Sequence, residues 1–275
     1  MIVDSHIHVW KFHSERYPWQ PLGNVAPDYE WSIERQIEVM DKHGFDKGVL
    51  IQPSMYRFDN RYIIDTSWRF QDRFRLIGLV DPQADSVEAD IEALAEAGVK
   101  GLRLAAMLRP DIPWYNDRQA DRVWKKAGEL NMIITLLVAP EQVVPASEAI
   151  RRFPELRVVV DHLARPDQID DPERRLFQDL LALAQFERVY VKASALAFMS
   201  REPYPHQDIL ELVRQVFDAF GPDRMMWGTD TPISQDETTL SEALSLIKLA
   251  LADASSEERA EVMGGTAARL FGWSQ

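Results

Sequence analysis

The opening stretch Met1-Ile2-Val3-Asp4-Ser5-His6-Ile7-His8-Val9-Trp10 reads as a buried strand that ends in two histidines. Successive strand side chains point to opposite faces. His6 and His8 therefore share one face with Asp4, while Val3, Ile7 and Val9 take the other. Two imidazoles side by side at a strand end can grip a metal or polarise a carbonyl, and burying them for any lesser purpose is costly.

Seven similar runs follow, at residues 47–52, 76–80, 101–104, 132–138, 158–161, 189–192 and 225–228. Most are β-branched or aliphatic without polar alternation, the pattern of parallel strands covered on both faces. Helix signals lie between them. Ser32 precedes Ile33, Ile37 and Met40, with Gly44 as a stop. Asp85 and Ser86 open a stretch closed by Gly98, and Asp117 opens one closed by Gly128. Pro145 or Ser147 opens a short helix ending before Pro154. Asp171 and Pro172, then Pro205, then Ser241 precede three more, the second ending near Gly221. Eight β–α units in this length predict an α/β fold, a (β/α)8 TIM barrel spanning 1–275 as a single domain. A doubly wound open sheet is the alternative, but no Gly-rich phosphate loop follows any strand. Residues 11–31, rich in Trp, Tyr and Pro, form a long loop after the first strand, of the kind that shapes substrate pockets.

Composition narrows the function. The 275 residues carry 31 basic and 44 acidic side chains, a net charge of −13. Such a surface repels phosphate backbones and anionic lipid, so neither nucleic acid nor membrane is an expected partner. With no cysteine, disulfides, thiolate nucleophiles and Cys-ligated zinc are excluded. The opening residues lack the pattern of a signal peptide and no apolar run is long enough to span a bilayer, so a cytoplasmic protein is expected.

In a barrel the active site lies at the C-terminal strand ends. Here those ends carry His6 and His8, Gln52 and Ser54, Arg103, Asp161-His162, Lys192-Ala193-Ser194 and Thr229-Asp230-Thr231-Pro232. Each has a plain structural use: Asp230 can cap, Lys192 can reach solvent, Arg103 can pair with a carboxylate. Their gathering on one rim is harder to explain that way.

Asp4-Ser5-His6-Ile7-His8, Gln52-Pro53-Ser54-Met55-Tyr56 with Asp59-Asn60, Asp161-His162-Leu163, Val191-Lys192-Ala193-Ser194 and Trp227-Gly228-Thr229-Asp230-Thr231-Pro232 together resemble the amidohydrolase superfamily. They are most similar to its branch of pyrone-dicarboxylate lactonases, sulfomuconolactone hydrolases and sugar lactonases. The resemblance runs in order from residue 4 to residue 232. It implies a distorted (β/α)8 barrel and a hydrolase, a lactonase opening a small cyclic ester. His6 and His8 match the strand-1 pair, His162 the strand-6 histidine and Asp230 the strand-8 aspartate.

Metal-dependent members of the wider superfamily add a histidine at the end of strand 5. Here that strand reads Ile133-Ile134-Thr135-Leu136-Leu137-Val138, with no His, Glu or Lys until Glu141. Two readings stay open. In one, a divalent metal, zinc, is held by His6, His8 and Asp230, with His162 as a fourth ligand; in the other the site is metal-independent. In both, Asp230 is the general base, its pKa raised by burial, and His6, His8 and His162 polarise the lactone carbonyl. Substrate-binding candidates are Arg103 and Arg109, which suit a carboxylate, with Lys192, Gln52, Ser54 and Tyr56 for oxygens. Arg165 is placed to orient the end of strand 6. Trp19, Trp31, Trp114 and Tyr115 are read as packing. His43 suits a helix C-terminus, His206 starts a helix, and His13 lies in a loop able to fold over the site. The competing enzyme reading is a zinc-dependent decarboxylase of a small unsaturated or aromatic acid; a non-catalytic barrel is disfavoured by four costly polar groups on one rim. The expected partner is a small lactone, and the expected state a monomer or homodimer.

Overall fold

The computed structural model describes residues 1–12, 14–21, 27–112, 114–115, 117–170, 175–234 and 240–273. Eight strands form one parallel sheet in the order of the chain: β1 (Val3–Ile7), β2 (Lys47–Ile51), β3 (Phe74–Gly78), β4 (Gly101–Leu104), β5 (Ile133–Leu136), β6 (Val158–Val160), β7 (Val189–Ser194) and β8 (Met225–Gly228). The sheet closes on itself between the strand ends. Ile7 bridges Thr231, His8 N–H donates to the Thr231 carbonyl (2.9 Å), and Asp230 N–H donates to the His6 carbonyl (2.8 Å). Buried Asp4 staples the same seam, accepting from Thr229 N (2.9 Å), Thr229 Oγ1 (2.6 Å) and His6 N (3.2 Å).

The barrel has the two-layer packing of its class. Outward residues such as Leu102, Ile134, Val160 and Val191 join the large core beneath the helices. Inward residues Val3, Val49, Ile77, Ile133, Val159 and Met226 form a second apolar cluster in the bore, closed from below by Ala267, Phe271 and Trp273.

One feature of β1 departs from simple alternation. Val3 lies in the bore, so a regular strand would point His6 outward. The register with β2 shifts between Asp4 and Ile7, and His6 also faces the bore, within 3.4 Å of Asp161 on the opposite side. This irregularity re-aims the histidine, a known use of bulges beside active sites. The shared parity expected for Asp4 and His6 does not hold: Asp4 is spent on the β1–β8 seam.

The helices are α1 (Ile33–His43), α2 (Arg61–Ser67), α3 (Val87–Glu96), α4 (Arg118–Glu129), α5 (Val143–Arg152), α6 (Arg175–Ala182), α7 (Leu196–Met199), α8 (Gln207–Phe220), α9 (Leu240–Ala250), α10 (Ser256–Ala260) and α11 (Thr266–Phe271). Ser32 caps α1 by accepting from Arg35 N, and Gly44 ends it at φ 75°. Asp117 caps α4, but the helix continues through Gly128 and reverses at Asn131, φ 54°. Helix α5 starts ahead of Pro145, at Val143. The expected start of α6 at Asp171 and Pro172 lies outside the described residues, as does His13. The sequence signals missed α2, α7, α10 and α11. Among the described residues, no helix is long and apolar enough to cross a membrane.

Candidate active site

Above the apolar cluster, the bore turns ionic. Asp161, at the end of β6, is fully buried. Arg103 Nε donates to its Oδ2 (2.9 Å), Lys192 Nζ lies 3.0 Å from its Oδ1, and His6 Nδ1 lies 3.4 Å from the same oxygen. Side chains from β4, β7 and β1 thus meet on the carboxylate that follows β6. Burial acts to raise the Asp161 carboxyl, but Lys192, His6 and Arg103 outweigh it and hold it well below the usual carboxylate range. Lys192 is lowered by burial, against the opposing pull of Asp161.

Asp230 forms the second centre. Its Oδ1 lies 3.2 Å from His8 Nε2 and 3.5 Å from His6 Nε2, and Ser234 donates its hydroxyl to Oδ2. The expected upward shift of its pKa is not found. Burial pushes the carboxyl up, but His162, the His8 hydrogen bond and His6 together take it well below the usual range. His162 itself is lowered to about 4, chiefly by burial, and burial also lowers His6. His162 and His6 are neutral imidazoles at neutral pH, facing a carboxylate that stays ionised.

The backbone is strained where it presents these groups. His162, Leu163, Ala164 and Arg165 all have left-handed φ values (51°, 51°, 54° and 57°), as do Ala195 (58°) and Asp230 (65°). A non-glycine residue in this region costs about 1–2 kcal/mol, and a run of four is unusual. The turn brings the His162 ring within 4.4 Å of the His6 ring, where Ser194 Oγ hydrogen-bonds its Nδ1 at 2.8 Å.

The described cleft above this floor has a volume of about 150 Å³ and reaches His8, Ser54, Arg103, His162, Arg165 and Asp230. His6 and Lys192 lie beneath it, fully buried. The other candidates are tied elsewhere. Gln52 Nε2 donates to the Asp59 carbonyl (2.8 Å), and the Tyr56 hydroxyl accepts from Lys11 N (2.7 Å) and holds the loop after β1. Arg109 is paired with Asp111 through Nε (2.7 Å). Arg165 does sit on the rim, its Nε donating to Asp167 at 2.8 Å. Glu141, the first acidic group after β5, is exposed. Asp161, placed on the rim by the sequence but given no role there, is the central group. Its parity with the bore residue Val159 was the available signal.

Among the described residues, two groups of side chains could hold a metal ion: His6, His8 and Asp230, and His6, Asp161 and His162. The first fits better. His8 Nδ1 is 2.9 Å from the Ile51 carbonyl and acts as a donor there, so Nε2 turns a lone pair toward Asp230 Oδ1. That contact is attractive only with a proton or a cation between the two atoms. In the second group, Asp161 is already committed to Arg103 and Lys192.

A parallel barrel with histidines and an aspartate converging at its C-terminal rim has the active-site arrangement of a TIM-barrel enzyme. An amidohydrolase profile matches residues 3–273, and the chain belongs to that family. It is 27% identical to an L-fucono-1,5-lactonase of Burkholderia ambifaria, covering 85% of this chain and 81% of that one. It is 26% identical to a 4-sulfomuconolactone hydrolase of Hydrogenophaga intermedia, covering 98% and 88%. Among solved structures, an amidohydrolase of Burkholderia multivorans with bound zinc superposes with a TM-score of 0.82 at 21% identity, covering 98% and 99%. A 2,6-dihydroxybenzoate decarboxylase from Rhizobium is less alike, at a TM-score of 0.70 and 14% identity over 98% of each chain.

Proposed function

We propose that this protein is a lactonase that opens a small cyclic ester by adding water to its carbonyl. The observation that carries this reading is the Asp230 carboxylate, held between His8, His6 and Ser234 at the floor of a narrow cleft. Asp230 takes a proton from the attacking water as the oxygen bonds to the carbonyl carbon. Held low, it is a weak base at rest, so it accepts the water's proton only as the water oxygen bonds to the carbonyl carbon and negative charge builds on the carbonyl oxygen. His162, turned inward by its left-handed backbone, faces that oxygen together with Arg103, and their fixed N–H groups stabilise it. When the tetrahedral species collapses, the carbon–ring oxygen bond breaks and Asp230 returns its proton to the leaving alkoxide. A low pKa is an advantage in that second step, because the protonated form is a strong acid. The carboxylic acid formed then ionises and releases one proton.

His6, His8 and Asp230 would hold a zinc ion, with His162 adjacent, and such an ion supplies Lewis-acid polarisation of the carbonyl. Buried Lys192 keeps Asp161 ionised and His6 in place. Ser54 is left to contact the substrate, while Gln52, Tyr56 and Arg109 support the walls.

The test is proton release from a lactone panel, using chelator-stripped protein with and without added zinc, alongside Asp230→Asn. The substitution is expected to lower kcat by about 10²–10⁴-fold, the usual range for losing a general acid–base. Near-normal turnover by the variant would remove Asp230 from this role. Turnover that needs zinc would make His6, His8 and Asp230 ligands.

A further inference from the structure

We infer that the lactone taken by this cleft is uncharged and carries an apolar substituent, such as an alkyl or aryl group, rather than several carboxylates or hydroxyls. This deepens the lactonase reading and rests on it. Three observations lead there.

The first is charge. The described cleft contains two guanidinium groups, and each is already matched. Arg103 is paired with Asp161 at 2.9 Å, and Arg165 grips Asp167 through Nε (2.8 Å) and Nη2 (2.6 Å). Lys192 shares Asp161, and Asp230 supplies the second negative charge of the floor. The two cations Arg103 and Lys192 and the two carboxylates Asp161 and Asp230 therefore cancel. A dianionic substrate would face the charges of Asp161 and Asp230 with no cation left in excess among the described residues, while Arg109 is paired with Asp111.

The second is the wall. Around the polar floor the cleft is lined by Met107, Leu108, Leu137, Ala195, Phe198 and Ile233. Among the described residues, the polar side chains of the cleft above the floor are Ser54, Ser234, which already donates to Asp230, and Arg165, which is paired with Asp167. A polyhydroxylated ring placed here would bury hydroxyls against aliphatic carbon, at a cost for each one left unpaired.

The third is at the mouth. Phe198 is 56% exposed and Ile233 37% exposed, both among the exposed large apolar side chains described. Met107 and the Arg165 guanidinium flank them, the guanidinium lying 5.5 Å from the Phe198 ring centroid. An apolar group extending outward from a lactone ring on the floor would cover both side chains, which gives their exposure a purpose.

The experiment compares kcat/KM for δ-valerolactone, a δ-alkyl-substituted valerolactone, dihydrocoumarin, glucono-δ-lactone and 2-pyrone-4,6-dicarboxylate, with zinc present and absent. The better of the two apolar-substituted lactones is expected to exceed both the gluconolactone and the dicarboxylate by at least about tenfold, the scale of discrimination one or two buried methylenes can give. Phe198→Ser and Ile233→Ser, both at exposed positions that do not threaten folding, are each expected to raise KM for that substrate several-fold while leaving its kcat within about twofold. Preference for the gluconolactone or the dicarboxylate would overturn the inference and leave the lactonase reading standing. Unchanged KM in both variants would also overturn it. Failure of every lactone to turn over would remove the lactonase reading, and the inference with it.

Discussion

The lower bore is filled by Val3, Val49, Ile77, Ile133, Val159 and Met226, while the upper bore, equally shielded from water, holds His6, Arg103, Asp161 and Lys192. The same eight strands build both. Alternation along β5, β6 and β8 continues inward past the apolar layer, but the residues it delivers change from Ile133, Val159 and Met226 to Thr135, Asp161 and the approach to Asp230. The lower layer stabilises by burial, roughly 1.5–3 kcal/mol for each large aliphatic side chain. The upper layer does the opposite: each ion loses its hydration, and only mutual pairing keeps that cost tolerable. A chain selected for stability alone would continue the aliphatic packing upward. The difference between the layers marks where stability was given up for chemistry.

Breaking the upper layer at its hub should give the largest effect. Asp161→Ala leaves Arg103 and Lys192 buried without their counter-charge and should cost about 3–5 kcal/mol of unfolding free energy. Ile133→Val in the lower layer removes one methyl group and should cost about 1 kcal/mol with kcat unchanged. Urea denaturation of both variants measures the contrast. Equal costs would mean that the ionic layer is better hydrated than the structure indicates.

The apolar layer was legible in the sequence and the ionic layer only in part, for a physical reason. Parallel strands buried on both faces appear as aliphatic runs, and all eight were found, with β4 and β8 bounded as in the structure. Helix signals worked for helices long enough to show an apolar period, such as those opened by Ser32 and Asp117, and failed for the short ones at Arg61–Ser67, Leu196–Met199 and Ser256–Ala260, the last despite its Ser255 cap. In the site, His6, His8, His162, Asp230, Arg103 and Lys192 do converge. What local pattern does not encode is partnership. Asp161 was read as a strand end beside a histidine, although its role comes from Arg103 on β4 and Lys192 on β7, 58 and 31 residues away along the chain. For the same reason, burial of Asp230 predicted a raised pKa, while the three imidazoles around it set the opposite direction. Tyr56 and Arg109 carry suitable chemistry, but local pattern does not show that they pair with Lys11 and Asp111.

Asp4 sharpens the comparison from the seam between β1 and β8. Burial raises its carboxyl to about 7 despite the hydrogen bonds from Thr229 and His6. Between the ordinary carboxylate range near 4 and about 7 the folded state holds a proton that the unfolded chain has released, so stability conferred by this group is lost as pH rises across that window and levels off above it. Asp4→Asn, a permanent analogue of the protonated form, should flatten the decline between about pH 4 and pH 7 and gain on the order of 2 kcal/mol at pH 8. Denaturation midpoints across that range provide the check. A variant that loses stability equally at every pH would show that the ionised carboxylate is the form the seam requires.

The smallest expected effect separates positioning from packing. Ser194 is fully buried at the end of β7, and its hydroxyl shares a 2.8 Å hydrogen bond with His162 Nδ1. If the hydroxyl donates, the ring proton sits on Nε2, the nitrogen free to face a developing oxyanion. Ser194→Ala removes one hydrogen bond and a small volume, a stability cost of about 1 kcal/mol. Without the serine, the His162 ring can rotate or change tautomer, so kcat should fall by about tenfold with KM little changed. Ser194→Thr keeps the hydroxyl and should restore most of kcat. A merely structural serine would give the same loss of stability in Ser194→Ala with kcat intact, and the left-handed turn at 162–165 would then be sufficient by itself to hold the imidazole in place.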